Sequence, residues 1–313
     1  MNSVSKVKNQ NNSLAIVIPA FKKKFFDNAL RSIVKQTNKN FTVYVGDDKS
    51  AEDLQSIVEK YRDQIAIFYE KFEANLGSTS IVAHWERCVA LTTGEDWIWL
   101  FSDDDIMSEN CVQLFFDALD NTKAEHDVYR FNCCIINSAG KSITEKSQYP
   151  KIQTSSQFLL SRLSYQFHSY IVNCIFSRNA YNRHSGFVDI SAAWGSDDAA
   201  WILFAQEKKI FTIDGGLIKW RQSNLNISGN TTNGTNRSRK YKGMQEFIEW
   251  MYSWAKKNKI KIDPTVTMKW YWVMLKSIGF KERFWPYIKS KSFRKFFWRT
   301  QLVYQMKLII KGY

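Results

Sequence analysis

Three adjacent carboxylates, Asp103, Asp104 and Asp105, follow closely on five mostly apolar residues, Trp97 to Phe101. A run that short and aromatic reads as a buried strand. A strand that stops in carboxylates sets hard oxygen donors at one edge of a sheet. Mn²⁺ or Mg²⁺ suits such donors, because these ions take oxygen ligands and are commonly shared with substrate phosphates. The competing reading is a solvated acidic loop opening a helix near Ser108. Two further acidic pairs invite the same question. Asp47 and Asp48 close an apolar run from Phe41 to Val45, and Asp197 and Asp198 stand at the start of a helical stretch within Ala193 to Gln206. Carboxylates in a first helical turn can simply complement the helix dipole, or one of them can act as a general base.

The elements that would position these groups alternate. Leu14 to Ile18 is a continuous apolar run closed by Pro19, as expected of a strand buried on both faces. Phe26, Ala29, Leu30, Ile33 and Thr37 recur at helical spacing. Strands are expected at Phe41 to Val45 and Ile65 to Tyr69, with a capping box of Ser50 and Asp53 opening a helix that runs to about Tyr61. Asn75-Leu76-Gly77 makes a turn, a helix runs from Ser78 to Leu91, and Gly94 ends it. Such alternation calls for an α/β fold with a mainly parallel central sheet and right-handed crossovers. Pro19, Asp47, Asp48 and Asp103 to Asp105 then all lie at carboxyl ends of strands and share one crevice.

The second half is less regular. The pattern predicts strands at Val128 to Ile136, Tyr170 to Phe176, Phe211 to Ile213 and Leu217 to Arg221, and a helix at Ser155 to Leu163. Asn226 to Lys240 is rich in Asn, Thr, Gly and Ser and reads as a mobile loop. Its four sequons, at Asn226, Asn230, Asn233 and Asn236, read as polar composition rather than glycosylation sites.

The 313 residues suffice for one large domain or two smaller ones, and the charge of +14 is unevenly placed. Residues 237–313 hold 19 Lys/Arg against 4 Asp/Glu, so the front of the chain is nearly neutral. Five cysteines form no CxxC pair, which favours reduced thiols and a cytoplasmic location. The four histidines lack zinc-ligand spacing. The first 13 residues have no apolar core of a signal peptide, and no run of about 18 apolar residues suggests a membrane span.

With these residues laid out, the chain resembles the family 2 glycosyltransferases of GT-A fold. The resemblance is carried by IVIPAF (Ile16 to Phe21), the Ala29 to Thr37 helix, VYVGDDKSAED (Val43 to Asp53), Asn75-x-Gly77, His84 to Arg87, TGEDWIWLFSDDD, GSDDAAW (Gly195 to Trp201) and WRQSNLNIS (Trp220 to Ser228). It covers about residues 13 to 230. It implies a GT-A, Rossmann-like domain over 13–236, between a flexible start at 1–12 and a basic, aromatic helical region at 237–313. The implied donor is a nucleotide-diphosphate sugar, by default a UDP-sugar, held by Pro19, Phe21, Asp47, Asp48, Asn75, Gly77, Asp103 and Asp104. Asp103, Asp104 and Asp105 would bind Mn²⁺ or Mg²⁺. Ser102 occupies the position of the family's usual first metal-motif aspartate, and Ser223 stands where a metal-approaching histidine is frequent. Asp197 or Asp198 would be the base toward an acceptor hydroxyl. The family's acidic pattern favours Asp198, and a single displacement would invert the anomeric carbon. The implied acceptor is a saccharide or lipid-linked saccharide in surface polysaccharide synthesis.

His84 and Trp85 lie early in their helix and could face the crevice or simply pack. The tail has two readings. Phe293, Phe296, Phe297, Val303 and Tyr304 lie roughly on one helical face, with Arg294, Lys295 and Arg299 off it, which suits a peripheral site on an anionic membrane. The same aromatics, with Trp250, Trp254, Trp270, Trp272, Trp285 and Trp298, could instead pack on the catalytic half. A nucleotidyltransferase of similar sheet would use the same metal cluster. A nucleic-acid binder would use the tail's cations and rings, but the surplus charge avoids the crevice and no nucleic acid is expected as a partner.

Overall fold

The computed structural model describes residues 12–223 and 234–277. The strands are β1 (Leu14–Ala20), β2 (Phe41–Asp47), β3 (Ile67–Lys71), β4 (Trp97–Leu100), β5 (Ile106–Met107), β6 (Val128–Ile136), β7 (Ile152–Gln153), β8 (Cys174–Ser177) and β9 (Ile210–Arg221). The helices are α1 (Phe26–Val34), α2 (Gln55–Glu59), α3 (Ile81–Val89), α4 (Cys111–Thr122), α5 (Ser155–Leu163), α6 (Arg178–Arg183), α7 (Ser196–Phe204), α8 (Gly234–Lys257) and α9 (Pro264–Ser277).

All nine strands join one sheet in the order β3-β2-β1-β4-β8-β6-β9-β5, with β7 on β9. The β3-β2-β1-β4 block is parallel, and β8 runs antiparallel between β4 and β6, so β6 and β9 run with the first block. Six of the nine strands thus point one way. The register places Ala20 opposite Asp47 and Val17 opposite Leu100. The chain therefore leaves β1, β2 and β4 along one edge, and the residues just beyond are Phe21, Asp48 and Phe101. This is the shared crevice that the alternation of elements implies.

The central strands are buried on both faces. Leu14 to Ile18 and Trp97 to Leu100 are almost wholly enclosed, which is why their sequence is continuously apolar rather than alternating. Trp99 stacks on Phe131 at 5.5 Å, and its indole N–H donates to the Val172 carbonyl at 2.7 Å. The two short strands expected at 211–213 and 217–221 are one strand. β9 passes from Ile213 opposite Phe131 to Leu217 opposite Asn132, bulging out the three residues between. Gly215 takes φ +87°, and a Cβ on Gly216 would lie 2.7 Å from the Phe131 ring. The two glycines let a single strand bulge where they had suggested a break.

The capping box expected of Ser50 and Asp53 does not form. The Ser50 hydroxyl donates to the Phe21 carbonyl at 2.7 Å, Asp53 accepts from the Ser56 N–H at 3.0 Å, and α2 begins only at Gln55. The serine ties β1 to β2 instead of capping a helix. α5 has a capping box, with Thr154 accepting from Gln157 and the Gln157 side chain accepting from the Thr154 N–H.

The tail's described part packs on the sheet half. Met244, Phe247, Ile248, Met251, Trp254, Trp270 and Tyr271 are all buried. Tyr165 donates to the Trp270 carbonyl at 2.7 Å. α8 starts at Gly234, inside the stretch expected to be a loop, and straddles the expected boundary at 236. Three of the four sequons, at Asn226, Asn230 and Asn233, together with Trp285, Trp298 and the Phe293 to Tyr304 stretch, lie outside the described residues. Among the described residues no helix is long and apolar enough to cross a membrane.

Phe247 is 2% exposed and contacts both Trp250 and Trp270. Phe247→Ala should therefore destabilise the fold by about 3–5 kcal/mol, read from urea unfolding. A loss under about 1 kcal/mol would mean that α8 is a surface appendage rather than core.

Candidate active site

The β2 end is an acidic cradle. Asp47 is fully buried and accepts from the Ser50 N–H at 2.6 Å and the Tyr69 hydroxyl at 2.6 Å. Its carboxylate shapes the loop. Asp48 accepts from the N–H groups of Leu76 and Gly77, at 2.7 and 2.9 Å, and from the Arg87 guanidinium. Burial still holds its carboxyl above the usual range, against the pull of those amides and Arg87. A carboxylate has about four acceptor positions; three protein donors leave capacity for one ligand N–H. Gly77 is required here, because a Cβ would lie 2.6 Å from Asp48 Oδ2. The Asn75 side chain accepts from the Ser78 N–H at 2.9 Å and so closes the turn.

His84 is buried and accepts from Arg87 Nε at 3.1 Å. Burial, with the Arg87 charge, pushes its imidazole down to about 3, so it stays neutral and orients the arginine. Arg87 also lies 3.9 Å over the Phe72 ring. Trp85 packs edge-on against Phe187 at 5.6 Å.

The three aspartates after β4 divide their work. Asp103 Oδ2 accepts from the Phe21 and Lys22 amides, both at 2.8 Å, which pins the end of β1 to this loop. Asp105 accepts from the Arg221 N–H at 2.6 Å and the Ser102 hydroxyl at 2.7 Å, and burial followed by the Asp104 charge raises its carboxyl far above the usual range. Asp104 is raised to about 6, by burial and then by Asp103. Its nearest cation is Lys22, at 4.0 Å. Arg221 binds the loop from the other side: Nε donates to the Asp104 carbonyl at 2.8 Å, and the guanidinium lies 4.3 Å over Phe25. Among the described residues no three His, Cys, Asp or Glu side chains form a ready metal cage. The donor set nevertheless fits a hard divalent cation. Asp103 and Asp104 are adjacent carboxylates with little cationic compensation, and such ions need only one or two protein carboxylates when phosphates complete the shell. Asp105 is turned to Ser102 and Arg221. Ser223, two residues past the end of β9, is buried.

The Asp197–Asp198 pair is likewise split. Asp198 is 3% exposed and bound by Arg162, Nε at 2.8 and 3.0 Å and Nη2 at 2.9 Å. Asp197 is half-buried and accepts from the Asp198 N–H at 2.9 Å. Burial and the neighbouring Asp198 raise its carboxyl to about 7. The family's acidic pattern favours Asp198 as a base; in the structure Asp198 is the carboxylate tied to Arg162. Tyr170 is in ring contact with both His168 and Trp220. It stacks on Trp220 at 4.3 Å, and burial, with the charges of Asp105 and Asp197 among the smaller causes, raises its hydroxyl.

Arg162, Tyr170 and Lys22 carried no sequence signal of a site role, because each finds its partner far along the chain. Arg87 and Arg221 lay inside recognised motifs, but their roles depend on contacts that spacing does not show. A shallow depression at Ala51 to Gln55, Tyr69 and Lys71 lies to one side and contains none of these aspartates.

The mainly parallel sheet thus brings an acidic cradle and a second acidic cluster to one edge. The sequence model described as Glycosyl transferase family 2 matches residues 15–184, and the chain belongs to that family. A Haemophilus influenzae protein described as a glycosyltransferase is 25% identical over 152 residues, covering 48% of this chain and 49% of that protein. The chain thus spans about half the length of that relative. The structure of residues 1–349 of S. aureus TarS in complex with UDP-GlcNAc superposes with a TM-score of 0.58 at 14% identity, covering 85% of this chain and 82% of that fragment; against the longer TarS chain the match covers 49% of that chain. GalNAc-T7 with UDP, GalNAc and Mn²⁺ superposes with a TM-score of 0.51 at 9% identity, over 87% of this chain and 59% of that one. The fold is GT-A, as the sequence resemblance implied.

The Asp198–Arg162 pair gives a test of the site's architecture. Asp198→Ala strands a largely buried guanidinium and should cost about 3–5 kcal/mol of stability, with Asp198→Asn costing less because its amide oxygen still accepts. Equal stability of both variants and the parent in urea would remove the pair from the account.

Proposed function

We propose that the protein is an inverting glycosyltransferase that moves a sugar from a nucleotide-diphosphate donor, by preference a UDP-sugar, to a saccharide hydroxyl. The observation that carries this reading is the Asp48 cradle and the Asp103–Asp104 pair at one sheet edge of a GT-A fold; Asp197, in the first turn of α7, is the carboxylate assigned to the acceptor. The donor's base lies against Phe21, which is 42% exposed at the mouth of the cradle. Pro19 precedes it at the end of β1. Asp48 uses its remaining acceptor capacity for a base N–H, and Gly77 allows the close approach of its own backbone. Asp103 and Asp104 would hold Mn²⁺ or Mg²⁺, which when bound supplies Lewis-acid stabilisation of the leaving diphosphate. UDP-GlcNAc in TarS, and UDP with Mn²⁺ in GalNAc-T7, support this choice of donor and ion.

Asp197 takes the acceptor proton. Its carboxyl at about 7 suits that task, since a base works best when its pKa lies near the working pH. Asp198 holds it in place through the Arg162 pair and supplies part of the negative field that raises it. The acceptor is a saccharide or lipid-linked saccharide of surface polysaccharide synthesis. The cation-rich 237–313 region supports its reaching an anionic membrane face, at about 1 kcal/mol for each Lys or Arg near the surface.

Asp197→Asn should lower kcat by roughly 10²–10⁴ while donor affinity stays nearly intact. The sign of the pH effect follows from the base role. Transfer by the parent enzyme rises as pH increases through about 7, where Asp197 loses its proton, and this limb disappears in Asp197→Asn. Full turnover in Asp197→Asn, with a collapse in a folded Asp198→Asn, would move the base to Asp198.

A further inference from the structure

The 24-residue helix α8 touches both halves of the crevice from outside it. On the donor side, Arg239 donates from Nη1 to the Ser78 carbonyl and from Nη2 to the Thr79 carbonyl, both at 2.8 Å. Those two residues follow directly on Gly77, whose N–H binds Asp48. On the acceptor side, Glu246 Oε2 accepts from the Ser191 N–H at 2.7 Å.

The segment that Glu246 holds is unusual. Ala192, Ala193 and Gly195 have φ of 58°, 52° and 98°, and Asp197 comes two residues later. Left-handed alanines are costly and persist only where their surroundings impose them. α8 supplies those surroundings. A Cβ on Gly243 would overlap the Ser191 carbonyl oxygen, and one on Gly195 would lie 2.7 Å from the Phe247 ring. Lys240 lies 5.2 Å over the Trp194 ring. The two sides also meet directly, with Ser80 donating to Asp189 at 3.1 Å.

We propose that α8 is a brace that fixes the spacing between the donor cradle and the acceptor carboxylates, with Arg239 and Glu246 as positioning residues. The assignment of those two sides rests on the function proposed above. The brace makes the described tail part of the catalytic unit, and it acts through backbone groups rather than by touching substrate. Glu246 needs only an acceptor oxygen for its role, so glutamine can replace it. Gly243 needs the absence of a side chain, so alanine cannot, although alanine is the better helix former.

Two measurements on the full chain test this. Hydrogen exchange should rise at least roughly tenfold across residues 191–198 in Glu246→Ala and stay near the parent in Glu246→Gln, with protection elsewhere in the sheet unchanged. Steady-state kinetics should show kcat reduced roughly 10–100-fold in Glu246→Ala and Gly243→Ala at unchanged donor KM, whereas Arg239→Ala raises donor KM more than it lowers kcat. Unchanged exchange at 191–198 in Glu246→Ala would overturn the brace, as would an equal kcat loss in Glu246→Gln and Glu246→Ala. Failure of the parent protein to bind UDP is a different result: it would overturn the proposed function, while the exchange data would still decide the brace.

Discussion

Carboxylates buried at a sheet edge must be met by donors, because an uncompensated buried charge costs several kcal/mol. The fold is arranged around that requirement. Backbone amides supply much of it: Leu76 and Gly77 for Asp48, Phe21 and Lys22 for Asp103, and Arg221 for Asp105. Arg87 and Arg162 supply the rest at Asp48 and Asp198. Every one of these bonds also joins separate elements, so satisfying the charge sets the position of the loops. Asp104 and Asp197 instead accept from near neighbours in the chain, the Ser102 hydroxyl and the Asp198 N–H. Both are raised, to about 6 and about 7, because burial and a neighbouring carboxylate outweigh the cations within reach. Raised carboxylates of this kind cluster at functional sites, which supports the roles proposed for Asp104 toward a cation and Asp197 toward a proton.

The sheet was legible in the sequence because its signal is local. Leu14 to Ile18, Phe41 to Val45 and Trp97 to Phe101 are apolar runs that only a doubly covered parallel strand explains, and β6 falls at Val128 to Ile136 as the pattern predicted. The short pairings were not legible. β5 and β7 have two residues each and exist only because β9 passes beside them. The Gly215–Gly216 bulge looked like a turn, since glycine punctuates both.

The candidate site was legible as residue types but not as roles. The aspartates stand out by adjacency, and the resemblance groups them. Their division of labour follows from partners distant in sequence: Arg162 reaches Asp198 across 36 positions, and Arg221 reaches Asp105 across 116. Spacing alone could not separate Asp197 from Asp198, because both open the same helical turn. The tail shows the same limit. Its tryptophans and lysines suggested a membrane surface as readily as a packed helix, and only the buried contacts of Phe247, Trp254 and Trp270 reveal that its described part is core.

The central claim is that this edge receives a nucleoside diphosphate together with a divalent ion. Calorimetric titration of the parent protein with UDP, in Mn²⁺ and then in chelator, tests it most directly. The account predicts saturable one-site binding in Mn²⁺ that weakens at least roughly tenfold, about 1.4 kcal/mol, when the ion is removed. UDP binding of equal strength with and without the ion, or no UDP binding at all, would contradict it.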